Sequence, residues 1–371
     1  MSKRPDFDLR AIVRTNVYSL DPYRCARDDY DQGILLDANE NSIGAAVVKK
    51  GDDDELTRYP SPYQVEMKRD IAAFRSIQPD QIFLGVGSDE AIDTLVRIFC
   101  VPGKDALLIT PPTYGMYKVV ANMNDVKIQS VPLTPDFQIN VEETLKAITP
   151  ETKIVFLCSP NNPTGNLLAT ADIIKVLDHP ALRGVVVLDE AYVDFTTQGS
   201  LAHLLASYPN LVIMQTFSKS FGLAGVRLGM AFASAELTAI MNKFKAPYNI
   251  NQLTSQVGVQ AVSQQGLAQM RSNVAVLLEQ RALLEKEFKA MPQVAHVFPS
   301  DSNFLLVRFT PSVDAYALYK KMADSGVVVR FRGNEIHCKN CLRVTVGSPS
   351  ENQELLRQVS ALAASPEMAA K

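Results

Sequence analysis

Apolar residues recur along the chain with two periods. From about residue 82, short runs that are apolar nearly throughout alternate with longer segments whose apolar positions return every three to four residues. The runs QIFLGV (81–86), ALLITP (106–111), KIVFLCS (153–159), GVVVLDEA (184–191), LVIMQTF (211–217) and RLGMAFA (227–233) predict strands buried on both faces. Between them EAIDTLVRIFC, YGMYKVVANMN, VEETLKAI and ADIIKVLDH predict crossover helices, so the chain reads as βα units around a mostly parallel sheet. The segment 266–291 predicts one long helix connecting two domains. After it NFLLVRF, VVVRFR and LRVTVG read as strands, and VDAYALYKKMADSG and ENQELLRQVSALAA as amphipathic helices, which predicts a small closing α+β domain. Residues 1–40 show no strong period and read as an arm.

Composition narrows the class of function. The 371 residues suffice for two domains, and 47% hydrophobic with 21% charged residues is the balance of a soluble globular protein. A formal net charge of −3 offers no basic field for nucleic acid or anionic lipid, which leaves a small molecule as the expected partner. Cys25, Cys100, Cys158, Cys338 and Cys341 are odd in number and scattered, so reduced thiols are expected. No apolar run is long enough to span a bilayer, and the start MSKRPDFDLRAIVRTN lacks the apolar core of a signal peptide, so the cytoplasm is the expected location. CKNC (338–341), beside His337, has the spacing of a metal or redox pair, but no second pair completes four ligands, and no metal is expected.

The candidate chemistry centres on Lys219, in the glycine-studded loop after LVIMQTF. A residue at that end of a parallel strand lies on the ligand-binding side of an open α/β sheet. Taken alone it reads as a solvated loop lysine. The neighbouring strand ends supply Asp189 and Tyr192, in VLDEAY, and Asn162, in SPNNPTG. A lysine to form an imine, a carboxylate to keep a ring nitrogen protonated, and an amide and a phenol for a ring hydroxyl are the set that pyridoxal phosphate needs. GVGSDEAIDTL (85–95) leads glycines into a helix start suited to a phosphate, although Ser88 and Asp89 read equally as an N-cap. Thr216, Ser218 and Arg227 lie close enough in sequence to complete a phosphate cradle, with a surface charge as the alternative for Arg227.

SPNNPTG, DEAY and SKSFGLAGVRLG, in that order, resemble the fold-type I pyridoxal-phosphate aminotransferases. LDANEN (36–41), TRYPSP (57–62), PPTYGMY (111–117), VVVRFR (327–332) and CLRVTVG (341–347) extend the resemblance over nearly the whole chain, toward the histidinol-phosphate branch. The resemblance implies an α/β fold: a large cofactor domain over 41–270 with a mostly parallel seven-stranded sheet flanked by helices, a small α+β domain over 271–371, and the 1–40 arm packing with the small domain. It implies Lys219 as the imine-forming lysine and proton carrier, Asp189 on the pyridine nitrogen, and Asn162 and Tyr192 on the ring oxygen. Tyr114 would stack on the ring, or else pack in the core. Ser88, Asp89, Glu90, Thr216, Ser218 and Arg227 would bind cofactor, with Tyr59 reaching in from the second subunit of a homodimer. Tyr23, Asn39, Glu40, Arg330 and Arg343 would bind substrate, with Arg330 preferred over Arg332 as the inward-facing arginine.

The implied reaction moves an amino group between L-histidinol phosphate and 2-oxoglutarate. Aromatic amino acid transamination and a phosphothreonine decarboxylase-like lyase are the alternatives on the same scaffold. The chain departs from the resemblance at Ser42, where many relatives carry proline, and lacks a glycine-rich run after YRCAR.

Overall fold

The computed structural model describes residues 2–21 and 56–365. A seven-stranded sheet comprises β1 (Ile82–Val86), β2 (Ala106–Ile109), β3 (Lys127–Ser130), β4 (Thr152–Cys158), β5 (Val185–Asp189), β6 (Leu211–Thr216) and β7 (Leu228–Phe232), in the spatial order β1-β7-β6-β5-β4-β2-β3. All pairings are parallel except those of β7, which runs antiparallel to both β1 and β6. Every residue of β5, β6 and β7 is buried, the burial expected of strands covered by helices on both faces.

The helices are α1 (Leu9–Ile12), α2 (Thr15–Tyr18), α3 (Val65–Arg75), α4 (Gly87–Phe99), α5 (Met116–Met123), α6 (Val141–Ala147), α7 (Thr170–Leu177), α8 (Ala235–Phe244), α9 (Gln252–Val262), α10 (Gln264–Ala290), α11 (Ala315–Asp324) and α12 (Pro349–Ala363). One apolar layer, including Val186, Leu188, Ile213 and Leu228, packs beneath α7 and its neighbours; the other, including Phe83, Leu95, Phe156 and Met214, packs beneath α4 and α8. Each such fully buried aliphatic or aromatic side chain is worth roughly 1.5–3 kcal/mol over an exposed one. Among the described residues no helix is long and apolar enough to cross a membrane.

A second sheet, β10-β11-β9-β8, is antiparallel throughout and comprises β8 (Val294–Val297), β9 (Phe304–Phe309), β10 (Arg330–Phe331) and β11 (Cys341–Thr345). It packs with α11, α12 and the distal part of α10 around Leu305, Val307, Leu342 and Phe288. The predicted α/β large domain and small α+β domain are both present.

Two strands were not predicted, and VVVRFR pairs only at Arg330–Phe331. All three cases are sheet edges. β3 reads KIQS and β8 reads VAHV, and such half-exposed strands lack the continuous apolar run that identifies a central one. The start of the chain is a further difference. Leu9, Ile12, Val13 and Val17 pack in the same cluster as Phe83 and Ile92, and the Arg4 guanidinium donates to the carbonyls of Leu177 and Leu182 at 2.8 and 2.9 Å. Residues 2–21 therefore lie on the large domain, not on the small one as expected. Apolar positions four residues apart in LRAIVRTNV gave them a face to bury.

The C-terminal end of α3, the turn after β5 and the loop after β6 meet at one buried ion pair. Arg75 Nη2 lies 2.8 Å from Asp194 Oδ1, and Ser220 Oγ donates to Asp194 Oδ2 at 2.6 Å. Removing one partner strands the other charge in the interior, so Asp194→Ala is expected to lower stability by roughly 3–5 kcal/mol in urea unfolding. An unchanged unfolding midpoint would show that the pair does not hold these elements together.

Candidate active site

The site follows from strand direction. β4, β5 and β6 are parallel, with Cys158 paired to Asp189 and Asp189 to Met214, so the segments carrying Asn162, Tyr192 and Lys219 leave one edge of the sheet side by side. β7 enters at that edge, which puts Arg227, the residue before it, beside them. β1 pairs antiparallel with β7 and delivers Ser88 and Asp89 to the same edge. Gly229 permits this approach: a Cβ there would overlap the backbone of Gly87 and Ser88. Gly87 has φ +72° and lies beneath the Arg227 guanidinium, so a side chain there would be both strained and obstructed.

These segments surround a cavity of about 870 Å³. Ser88, Asp89, Tyr114, Asn162, Asp189, Tyr192, Thr216, Ser218, Lys219 and Arg227 line it from the large domain, and Arg330 and Arg343 from the small one. Glu90 and Tyr59 are absent from the lining. The Glu90 carboxylate instead accepts from Val86 N–H at 2.5 Å and from Asn249 Nδ2 at 3.1 Å, leaving the N–H groups of the first turn of α4 without a side-chain acceptor. The Tyr59 ring stacks on Tyr248 at 4.7 Å between centroids and is half exposed. Tyr23, Asn39 and Glu40 lie outside the described residues.

The floor of the cavity is the Asp189 carboxylate, which is 3% exposed. Its Oδ2 accepts from the Tyr117 hydroxyl at 2.6 Å, and its Oδ1 from Ala191 N–H at 3.1 Å. Burial raises its pKa to about 6; the two hydrogen bonds oppose the rise, the Asp89 charge adds to it and Lys219 opposes it. Lys219 Nζ lies 5.7 Å from the Tyr192 ring centroid. Its pKa is lowered, first by burial and then by the Arg343 charge, which favours a neutral amine. Burial likewise raises the Tyr192 phenol pKa, so the hydroxyl keeps its proton.

At one end of the cavity Thr216 Oγ1 donates to Ser218 Oγ at 3.0 Å, and Arg227 Nη1 reaches Ser218 Oγ at 3.5 Å. Arg227 has φ 55°, in the left-handed region that is uncommon for a non-glycine residue. Asp89 accepts from the Tyr114 hydroxyl at 3.1 Å and from Arg227 Nη2 at 3.4 Å. The N-cap reading of Ser88 and Asp89 does not hold, because α4 starts at Gly87, its N-cap is Val86, and no side chain caps it. At the other end Arg343 Nη1 donates to Asn162 Oδ1 at 2.5 Å, joining the two domains across the cavity.

Tyr117 was not singled out by the sequence, although it closes PPTYGMY. It lies in the first turn of α5, meets the Tyr114 ring edge-on at 5.6 Å between centroids, and stacks on Phe156 at 4.4 Å. Arg332 and Glu335 also line the cavity. Positions 330 and 332 of a strand share a face, so the choice between the two arginines is not exclusive.

The family model for "Aminotransferase class I and II" matches residues 30–359. The chain belongs to the class I and II aminotransferase family. Within it the protein is 47% identical to the histidinol-phosphate aminotransferase of Saccharomyces cerevisiae, covering 95% of this chain and 96% of that one. It is 45% identical to the histidinol-phosphate aminotransferase of Candida maltosa, covering 96% and 98% respectively. Its fold is similar to that of a histidinol-phosphate aminotransferase from Sinorhizobium meliloti solved with pyridoxal-5'-phosphate, with a TM-score of 0.75 at 22% identity over 82% of this chain and 83% of that one. In this aminotransferase the cavity stands at the sheet edge where open α/β folds bind their ligands.

The Tyr117 hydroxyl bonds to the ionised form of Asp189, so its loss disfavours ionisation. Tyr117→Phe in the cofactor-free aminotransferase is expected to raise the Asp189 pKa further above about 6 in a carboxyl-carbon NMR titration. An unchanged titration would mean that this bond does not set the charge on the cavity floor.

Proposed function

We propose that the aminotransferase exchanges an amino group between L-histidinol phosphate and 2-oxoglutarate, using pyridoxal phosphate. The observation that carries the reading is one cavity with the Asp189 carboxylate and Lys219 amine at its centre and two guanidiniums, Arg330 and Arg343, at its far end. The cavity fits the cofactor. An enclosed carboxylate suits a protonated ring nitrogen, and the uncapped start of α4 beside Ser218 and Arg227 suits a phosphate.

When bound, the cofactor supplies an aldehyde for the substrate amine and a cationic ring that takes up the electron pair of the broken C–H bond. The chain supplies position and protons. Asp189 would keep the ring nitrogen protonated, with Tyr117 favouring ionised Asp189. Tyr192 and Asn162 would hold the ring oxygen. Ser88, Ser218 and Arg227 would hold the phosphate, while Asp89 accepts hydrogen bonds from Arg227 and Tyr114 and so orients both. Lys219 would hold the cofactor's aldehyde carbon, and its Nζ is the group that would carry a proton to and from the substrate carbon. Its lowered pKa provides the neutral amine that this step needs.

Two cationic forks at the far end favour a phosphorylated donor over a plain aromatic amino acid. Both relatives at 45–47% identity carry a transaminase name, which favours transamination over decarboxylation. Tyr59 lies outside the cavity lining, and its expected role requires a second subunit, so a homodimer completes the site. The four described cysteines are buried and unpaired, which agrees with a reducing cytoplasm.

Three outcomes test this reading. kcat/KM for histidinol phosphate should exceed that for phenylalanine, and turnover should require 2-oxoglutarate; carbon dioxide release without a keto acid would contradict it. Lys219→Ala should lower kcat by roughly four orders of magnitude while the protein still retains cofactor in equilibrium dialysis. Mixing inactive Lys219→Ala with inactive Tyr59→Ala protein should restore activity if Tyr59 acts across the interface, since a mixed dimer then holds one complete site; no recovery would mean that it does not.

A further inference from the structure

The small domain presents three arginines to the cavity on one face of its sheet. Arg330 on β10 lies directly opposite Arg343 on β11, and Arg332, two residues beyond Arg330, emerges on the same side. Like charges placed opposite each other on neighbouring strands are unfavourable. Their mutual pressure is visible at Arg343, whose pKa is lowered by burial first and then by the charge of Arg332, with Arg330 adding to it.

One acid lies among them. Arg332 Nη1 donates to Glu335 Oε1 at 2.9 Å, which fixes the guanidinium, and both side chains are about three-quarters buried. The Nε–H groups of Arg332 and Arg343 are buried and have no acceptor. Three cations and one anion leave an excess of two positive charges beside unsatisfied donors. A phosphomonoester near neutral pH carries about −1.5 to −2 charges and three acceptor oxygens, whereas a single carboxylate would leave the cluster cationic.

We propose that Arg332, held by Glu335, is a specificity-determining residue that selects a phosphate dianion over a monoanion. The inference rests on the proposed function and deepens it: the donor's phosphate is met by three guanidiniums, with Arg330 and Arg332 sharing the role expected of one of them.

The test uses the enzyme loaded with pyridoxal phosphate, so that the cofactor's own phosphate site is filled. Inorganic phosphate is titrated calorimetrically into the wild type, Arg332→Gln and Arg332→Lys, and kcat and KM are measured for histidinol phosphate and for unphosphorylated histidinol. Arg332→Gln should weaken phosphate binding by at least about tenfold and raise KM for histidinol phosphate by a similar factor, with kcat nearly unchanged and histidinol little affected. Arg332→Lys keeps the charge but loses the fork, and should recover part of the affinity. Unchanged phosphate affinity, or an equal loss for both amines, overturns the proposal. If phosphate binds through Arg332 and histidinol phosphate is not turned over by the wild type, the anion site stands and the proposed reaction falls.

Discussion

Asp189 ends β5 in near-complete enclosure, where its carboxylate meets the Tyr117 hydroxyl, the Ala191 N–H and the fields of Asp89 and Lys219. An ionised carboxylate removed from water is costly unless a cation or hydrogen bonds compensate. Here two hydrogen bonds compensate incompletely, and the pKa remains raised to about 6. A protonated ring nitrogen placed above Asp189 would be the missing cation, so the cost of the bare site becomes affinity for one kind of ligand. The enclosure that raises the Asp189 pKa also lowers that of Lys219, so one physical cause acts on both groups and would suit the two roles proposed for them.

Chain topology makes this arrangement possible. Parallel strands discharge their carboxyl ends at one edge, and a single reversed strand, β7, brings Arg227 back to it. The small domain closes the cavity from the opposite side with its arginines, and the Arg343 to Asn162 hydrogen bond is the contact between the two halves that borders the cavity, beside others such as Leu167 N–H to Asp301. Charge around Lys219 is thereby divided within one cavity: the Asp189 carboxylate on its floor, Arg227 with Ser218 from the large domain, and Arg330 and Arg343 from the small one. Beneath, Asp194 ties Ser220, the residue after Lys219, to Arg75. The lysine loop thus rests on buried structure even though its glycines give it a mobile composition.

The central strands were legible because burial on both faces writes a continuous apolar run, as in VVVLD and LVIMQT. The motif residues were legible because Asn162, Asp189, Tyr192 and Lys219 each sit just beyond or at the end of such a run. Edge strands β3 and β8 were not, since half-exposed pairing leaves little pattern to read. The apolar spacing of Leu9, Val13 and Val17 shows that residues 2–21 have a face to bury, but that it docks on α4 and α8 of the large domain depends on tertiary contacts no local period specifies. Tyr117 escaped notice for a related reason: a tyrosine on an amphipathic helix reads as core, and only the fold reveals that its hydroxyl ends on Asp189. Arg332 stood beside the preferred Arg330, and the two-residue alternation that puts both on one face was the signal that could have included it.

The account depends most directly on a covalent bond between Lys219 and the cofactor. Borohydride reduction of the purified, cofactor-loaded protein followed by peptide mapping tests it in one step. The predicted result is loss of the visible absorption band and a single pyridoxyl adduct on the peptide containing Lys219. An adduct on any other lysine, or no adduct from a protein that retains its cofactor, would contradict the assignment of this cavity and of the reaction built on it.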